Sequence, residues 1–172
     1  MRVRPTPLVP IGVIIGYMVV VFSVWIATGM RYDDIGDTVE TVQKSVVLAV
    51  GLGSAYLAVM ATVLGWWKPA IHEPRKVGAG WMWSVPAMLL VGAALNFAAT
   101  KWDEIDGVGT YALWLAIGTL LVGFSEELMT RGLAIVGARG SMHEKWVWVF
   151  SGALFGFIHV PNALFGQDIG PT

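Results

Sequence analysis

The chain has 172 residues, of which 56% are hydrophobic and only 13% are charged, and its formal net charge is −1. A soluble globular domain carries about 25% charged residues, so this composition indicates a membrane protein. The sequence contains no cysteine, which excludes disulfides, thiolate metal ligands and a cysteine nucleophile. Its 11 basic residues are scattered, and they give no support for nucleic-acid binding.

Five runs without Asp, Glu, Lys or Arg follow one another along the chain. Each is at least about 18 residues long, which is the length that marks a candidate membrane span. A backbone in lipid must satisfy its own hydrogen bonds, so such runs predict helices. The runs cover residues 5–30, 45–67, 77–100, 107–125 and 146–167. We therefore predict an all-α, polytopic bundle of about five transmembrane helices that forms a single membrane domain over residues 1–172.

Lysine and arginine alternate in number from one loop to the next. Eight of them precede the first span, separate the second from the third, or separate the fourth from the fifth. The remaining loops hold three basic and seven acidic residues. Because cytoplasmic loops carry the excess of Lys and Arg, this pattern predicts an integral membrane protein with its N-terminus in the cytoplasm.

Two adjacent carboxylates, Glu126 and Glu127, lie near the end of the fourth apolar run, and Arg131 follows the second by four residues. Ionisable residues at membrane depth are costly, and are functional by default. Glu127 and Arg131 share a helix face in the favourable acid-before-base order, whereas Glu126 points about 100° away. The spacing predicts an ion pair between Glu127 and Arg131, and it leaves Glu126 free to face a cavity as a general base.

The fifth apolar run carries one ionisable residue, His159, with Phe155 four positions before it. Gly152 and Gly156 lie near the same stripe of the predicted helix, and small residues allow another helix to approach closely. The pattern predicts that the fifth helix packs against the fourth and places His159 opposite Glu126. A neutral imidazole in that position can orient a water or bind a metal.

Each of these residues also has a structural interpretation. Glu127 and Arg131 alone could form a buried ion pair, His159 alone could be a satisfied structural histidine, and two adjacent glutamates could begin a solvated loop. Apolar sequence resumes directly after Arg131, however, so we expect the helix to continue to about Gly137. The four ionisable residues together favour a functional site.

Two segments resemble the first two motifs of the CAAX prenyl protease and bacteriocin-processing (CPBP) family of intramembrane proteases. They read Ser125-Glu-Glu-Leu-Met-Thr-Arg-Gly132 and Phe155-Gly-Phe-Ile-His-Val-Pro-Asn162. The resemblance covers residues 123–162, within an expected CPBP-like region of about 111–172. It implies a membrane-embedded endopeptidase that acts on a membrane-associated peptide or protein substrate, which we expect in a bacterial plasma membrane.

The resemblance also implies roles for individual residues. Glu126 activates a water with help from His159, the water attacks a peptide carbonyl, and Glu127, Arg131 and Phe155 support the site. The family has been discussed both as metal-dependent and as metal-free. A divalent metal such as zinc, with Glu126 and His159 as ligands, and a metal-free mechanism therefore both stay open.

One departure from the family pattern concerns the C-terminal part. The family's later His-x-x-x-Asn/Asp motif, which by resemblance stabilises the oxyanion, has no counterpart up to Thr172. We therefore expect a C-terminally truncated sequence, and a chain that alone lacks part of its site. A non-catalytic family member, such as a bacteriocin-immunity or membrane scaffold protein, is the alternative. A proton-coupled carrier would also use intramembrane Glu and His, but no inverted repeat supports one.

Overall fold

The computed structural model describes residues 1–72, 80, 84–99 and 107–165. All regular structure in this part of the chain is helical, which confirms the predicted all-α class. The helices are α1 (Leu8–Thr28), α2 (Val39–Leu64), α3 (Trp67–Ile71), α4 (Ser84–Ala99), α5 (Val108–Arg139) and α6 (Glu144–Phe157). The 3₁₀ segments Tyr32–Asp34 and Val160–Phe165 accompany them.

Three of these helices, α1, α2 and α5, are each long and apolar enough to cross a membrane. The predicted count of five spans is not confirmed, because α4 has 16 residues and α6 has 14. Part of the predicted third span, 77–100, lies outside the described residues. Helix α6 ends at Phe157 because Pro161 has no N–H to donate and its ring would clash with the carbonyl four residues before it.

The three long helices pack side by side, and contacts at both ends of the bundle connect them. The Arg2 amide donates to the Leu64 carbonyl at 3.0 Å, which brings the start of α1 to the end of α2. At the opposite end, the Tyr111 hydroxyl at the start of α5 donates to the Gly36 carbonyl at 2.6 Å. Helix α5 continues to Arg139, slightly beyond the predicted Gly137, and its end returns to the start of α1.

These two ends carry opposite charge. One end is basic, and we call it the basic end. It holds the N-terminus of α1 and the C-terminus of α5. The other end, around the loop between α1 and α2, is acidic. The basic end holds Arg2, Arg4, Lys68, Arg139 and Lys145, and the acidic end holds Asp33, Asp34, Asp37 and Glu40. Among the described residues, the fold therefore places most basic loop charges at one end and most acidic loop charges at the other.

Helices α1 and α2 approach closely through two reciprocal contacts between a tyrosine and a glycine. A Cβ atom on Gly53 would lie 2.4 Å from Cε2 of Tyr17, and one on Gly16 would lie 2.1 Å from the Tyr56 hydroxyl. Each aromatic ring therefore occupies the space that a side chain on the facing glycine would need. Small residues at such crossings allow the van der Waals packing that holds membrane helices together.

Two stretches of the long helices are π-helical, Val42–Leu48 in α2 and Glu127–Ala134 in α5. Such segments are rare in proteins, and those that occur are often found at functional sites. In each, a backbone carbonyl accepts a hydrogen bond from a side chain of another helix. Trp25 Nε1 donates to the Ser45 carbonyl at 2.8 Å, and the Ser151 hydroxyl donates to the Thr130 carbonyl at 2.9 Å. The second bond attaches α6 to the segment that begins at Glu127, directly after Glu126.

A second attachment closes the turn between α5 and α6. Arg139 donates to the Glu144 carboxylate through Nη2 at 2.6 Å and through Nε at 3.1 Å. These hydrogen bonds, with the positive charge of Arg139, hold the pKa of the Glu144 carboxyl below its usual value. Because that pKa is lowered on folding, the contribution of the pair to stability is present above the unfolded pKa and is lost as pH falls through the folded one.

Candidate active site

Glu126 is the last residue before the π-helical segment of α5, which begins at Glu127. Its backbone carbonyl accepts a hydrogen bond from Thr130 Oγ1 at 2.7 Å, one turn further along the same helix. The carboxylate lines a cavity of about 310 Å³. Its side chain is 33% exposed, which leaves it accessible to a water in the cavity.

His159 lies just beyond the end of α6 and lines the same cavity. Its Nδ1 is 2.8 Å from the Phe155 carbonyl oxygen, and its ring packs against the Phe155 ring with centroids 4.9 Å apart. Since a carbonyl can only accept a hydrogen bond, we assign the proton of the neutral imidazole to Nδ1. Nε2 is then left with a free lone pair, 3.6 Å from Oε1 of Glu126.

The 3.6 Å separation between Nε2 of His159 and Oε1 of Glu126 decides what this pair can do. It exceeds the usual hydrogen-bond range of about 2.7–3.2 Å, so the two groups are not directly bonded when the imidazole is neutral. A water about 2.8 Å from both atoms could donate one hydrogen to each. Its oxygen lone pairs would then stay free to attack an electrophile.

The donor set falls short of a catalytic zinc site. Carboxylate oxygen and imidazole nitrogen are both zinc ligands, but catalytic sites use three protein ligands and an open position. Within residues 1–72, 80, 84–99 and 107–165, no group of three or more His, Cys, Asp or Glu side chains could hold a metal. Glu126 and His159 supply two ligands at most, so the described residues by themselves do not fit zinc.

Glu127 and Arg131 form the predicted ion pair, with Nη1 of the arginine 2.9 Å from Oε1 of the glutamate. The side chains are 58% and 74% exposed, and neither lines the cavity. The pair therefore lies on the surface of the described fold, whereas Glu126 turns inward as predicted.

The predicted role of Gly152 and Gly156 is wrong. A Cβ atom on either glycine would meet no other atom within 4 Å, so neither faces another helix in the described part of the chain. The face of α6 that meets α5 carries Val147 and Ser151 instead. Val147 is fully buried, and Ser151 makes the hydrogen bond to the Thr130 carbonyl. The face of α6 that packs against α5 therefore lies about 140° away from the glycines.

The cavity also contains polar residues that the sequence did not single out. Asn162 lies three positions after His159, within the second motif segment. Helix α1 supplies Tyr17, whose hydroxyl donates to Ser125 Oγ at 3.2 Å across 108 sequence positions. No local pattern connects residues so far apart. The polar and aromatic lining residues besides Glu126 and His159 are Tyr17, Phe22, Trp25, Tyr32, Ser45, Ser125 and Asn162.

These features define a helical protein with helices able to span a membrane and a glutamate and a histidine facing each other in a cavity. Residues 108–171 match the model of a family described as type II CAAX prenyl endopeptidase Rce1-like. The match includes both motif segments, and it confirms the resemblance to the CPBP family in this part of the chain. No curated protein and no solved structure shows significant similarity to the chain.

Proposed function

We propose that this protein is an intramembrane endopeptidase of the CAAX-protease type, which hydrolyses a peptide bond of a membrane-associated substrate. The observation that supports this most directly is the 3.6 Å separation between Nε2 of His159 and Oε1 of Glu126 within one cavity. The family match supports a protease at the coarse level, and helices able to span a bilayer support a substrate presented at the membrane.

In the proposed reaction, one water bridges the carboxylate of Glu126 and Nε2 of His159. Glu126 takes a proton as the water oxygen bonds to the carbonyl carbon of the peptide, which gives a tetrahedral intermediate. The same carboxylic acid then returns the proton to the leaving nitrogen as the C–N bond breaks. The immediate products are a carboxylic acid and an amine, and Glu126 is ionised again. The acid then gives its proton to the amine, which leaves a carboxylate and an ammonium group. General acid–base catalysis of this kind contributes about 10²–10⁴-fold.

His159 is proposed to orient the water rather than to take its proton. The hydrogen bond from Nδ1 to the Phe155 carbonyl fixes the tautomer, so Nε2 accepts a hydrogen bond from the water. We assign Phe155 a supporting role through this carbonyl and through its ring. Glu127 and Arg131 would support the site from outside, because their ion pair covers the first turn of the π-helical segment next to Glu126.

Hydrolysis is tested by reconstituting the full-length protein in lipid vesicles with membrane-anchored peptides and carrying out the reaction in H₂¹⁸O. The proposal predicts cleavage, with one ¹⁸O in the new C-terminal carboxylate of the product, detected by mass spectrometry. Vesicles without the protein serve as the control. Intact peptides across a broad substrate set would contradict the proposal and would favour a non-catalytic member of the family, such as an immunity or scaffold protein.

We further propose that the basic end of the fold lies in the cytoplasm, together with the N-terminus. The support is the separation of basic and acidic loops onto opposite ends, since cytoplasmic loops carry the excess of Lys and Arg. A reporter enzyme fused after Met142, between α5 and α6, is expected to report a cytoplasmic location. The matched fusion after Asp37, at the acidic end, should report the opposite side. Exchange of the two results would overturn this orientation.

A further inference from the structure

We infer that α1, which lies outside the segment matched by the family, supplies Tyr17 as a positioning residue of the site. Tyr17 would hold Glu126 in place through Ser125, the residue that directly precedes it. The inference rests on the proposed hydrolytic function for its effect on rate. Its structural basis is independent of that function, and consists of one fixed ring, one buried hydrogen bond and one shared cavity.

The ring of Tyr17 has little freedom to move. It is 8% exposed and fills the space beside Gly53 of α2, where a Cβ atom would lie 2.4 Å from ring atom Cε2. The crossing of α1 with α2 therefore fixes the position from which the hydroxyl extends. A hydroxyl on a fixed ring makes a directional tether, because few rotamers compete with the bonded one.

The hydroxyl of Tyr17 has a defined partner. It is 3.2 Å from Ser125 Oγ, and Ser125 in turn donates its own hydrogen to the Val122 carbonyl at 2.9 Å. Because the serine hydrogen is used in that bond, its oxygen accepts the hydrogen of Tyr17. Ser125 is 1% exposed. Tyr17 is buried as well, and opening the bond would leave its hydroxyl hydrogen without this acceptor; because an unsatisfied buried polar group is costly, the bonded state is favoured.

The tether acts at the place where α5 changes from α-helical to π-helical geometry. Ser125 and Glu126 are the last two residues before the π-helical segment, and both line the cavity together with Tyr17. Thr130 holds the Glu126 carbonyl from one side, and Tyr17 holds the adjacent Ser125 from the other. The distance from Glu126 to His159 should therefore depend on α1 as well as on the motif helices.

The kinetic test replaces Tyr17 by Phe, which keeps the ring on Gly53 and removes only the hydroxyl. We expect kcat to fall by about tenfold, with KM changed by less than about twofold, because orientation rather than substrate binding is lost. Tyr56→Phe is the matched control. It removes a hydroxyl from the reciprocal tyrosine–glycine contact, outside the cavity, and it should leave both constants unchanged.

Ser125→Ala should reproduce the effect, and the double variant of Tyr17→Phe with Ser125→Ala should lose no more than either single change. A multiplicative loss in the double variant would overturn the tether. An unchanged kcat in Tyr17→Phe, with an active wild type, would overturn it too. Absence of cleavage by the wild type would instead count against the proposed function.

A second measurement tests positioning without any activity. The chain has no cysteine, so Glu126→Cys with His159→Cys introduces one unique thiol pair. We expect a short thiol-specific cross-linker to join this pair severalfold more slowly when Tyr17→Phe is added, and at an unchanged rate when Tyr56→Phe is added. Equal cross-linking rates in all three backgrounds would show that Tyr17 does not set this distance, whatever the enzyme assay reports.

Discussion

Replacement of Glu126 by Gln is expected to reduce peptide cleavage by about 10²–10⁴-fold while leaving expression and folding unchanged. The amide keeps the size of the side chain and much of its hydrogen-bonding capacity, but it does not serve as the proton acceptor. Since Glu126 is partly exposed in a cavity, its charge is not needed to hold the core together. The measurement is kcat in lipid vesicles, together with yield and thermal unfolding of the purified variant.

The matched control is Glu40→Gln, which makes the same chemical change at the acidic end of the fold. Glu40 pairs with Lys44 on the exposed surface and lies outside the cavity, so its replacement should leave cleavage unchanged. Cleavage by Glu126→Gln at the wild-type rate would contradict the assignment of the general base. A variant that fails to fold would instead return Glu126 to a structural role.

His159→Ala is expected to reduce cleavage by a similar factor, because Nε2 is proposed to orient the same water that Glu126 deprotonates. Combining it with Glu126→Gln should add little further loss, since residues that act as a unit are strongly non-additive. The side chain of His159 is 42% exposed, so its truncation should cost little stability. The measurement is the set of four kcat values in a double-mutant cycle.

His143→Ala provides the control for this cycle. His143 is an exposed residue just before α6, on the same hairpin as His159 but outside the cavity. Its removal should leave kcat unchanged. Losses from Glu126→Gln and His159→Ala that multiply in the double variant would indicate separate roles, and would count against a single bridging water.

The parts of this structure that local sequence determines were predictable. Long apolar runs require helices in lipid, and the four-residue spacing between Glu127 and Arg131 places them on one face, where the ion pair forms. The inward turn of Glu126 follows from the same geometry, because it is displaced by about 100° from its neighbour. The pairing of Glu126 with His159 was inferred from their joint occurrence, and in the structure they meet in one cavity.

Features that depend on contacts between distant segments were not predictable. The π-helical geometry of Glu127–Ala134 is accompanied by a carbonyl that bonds to Ser151 of another helix. The glycines of α6 suggested the wrong contact face, because periodicity identifies a smooth stripe but not the partner it meets. Tyr17 gave no signal at all, since its proposed role depends on a hydrogen bond across 108 positions.

The π-helical segment of α5 also limits which insertions and deletions this helix can tolerate. A π-helical turn accommodates one residue more than an α-helical turn, so it is equivalent to a single inserted residue within an otherwise regular helix. Loss of one residue from Glu127–Ala134 would restore regular α-helical phase and rotate the two halves of α5 by about 100° relative to each other. With the C-terminal half held by Ser151, Glu126 would then turn away from His159, although composition and hydropathy would scarcely differ. Insertions and deletions in these eight residues should therefore be far less tolerated than substitutions on their exposed face.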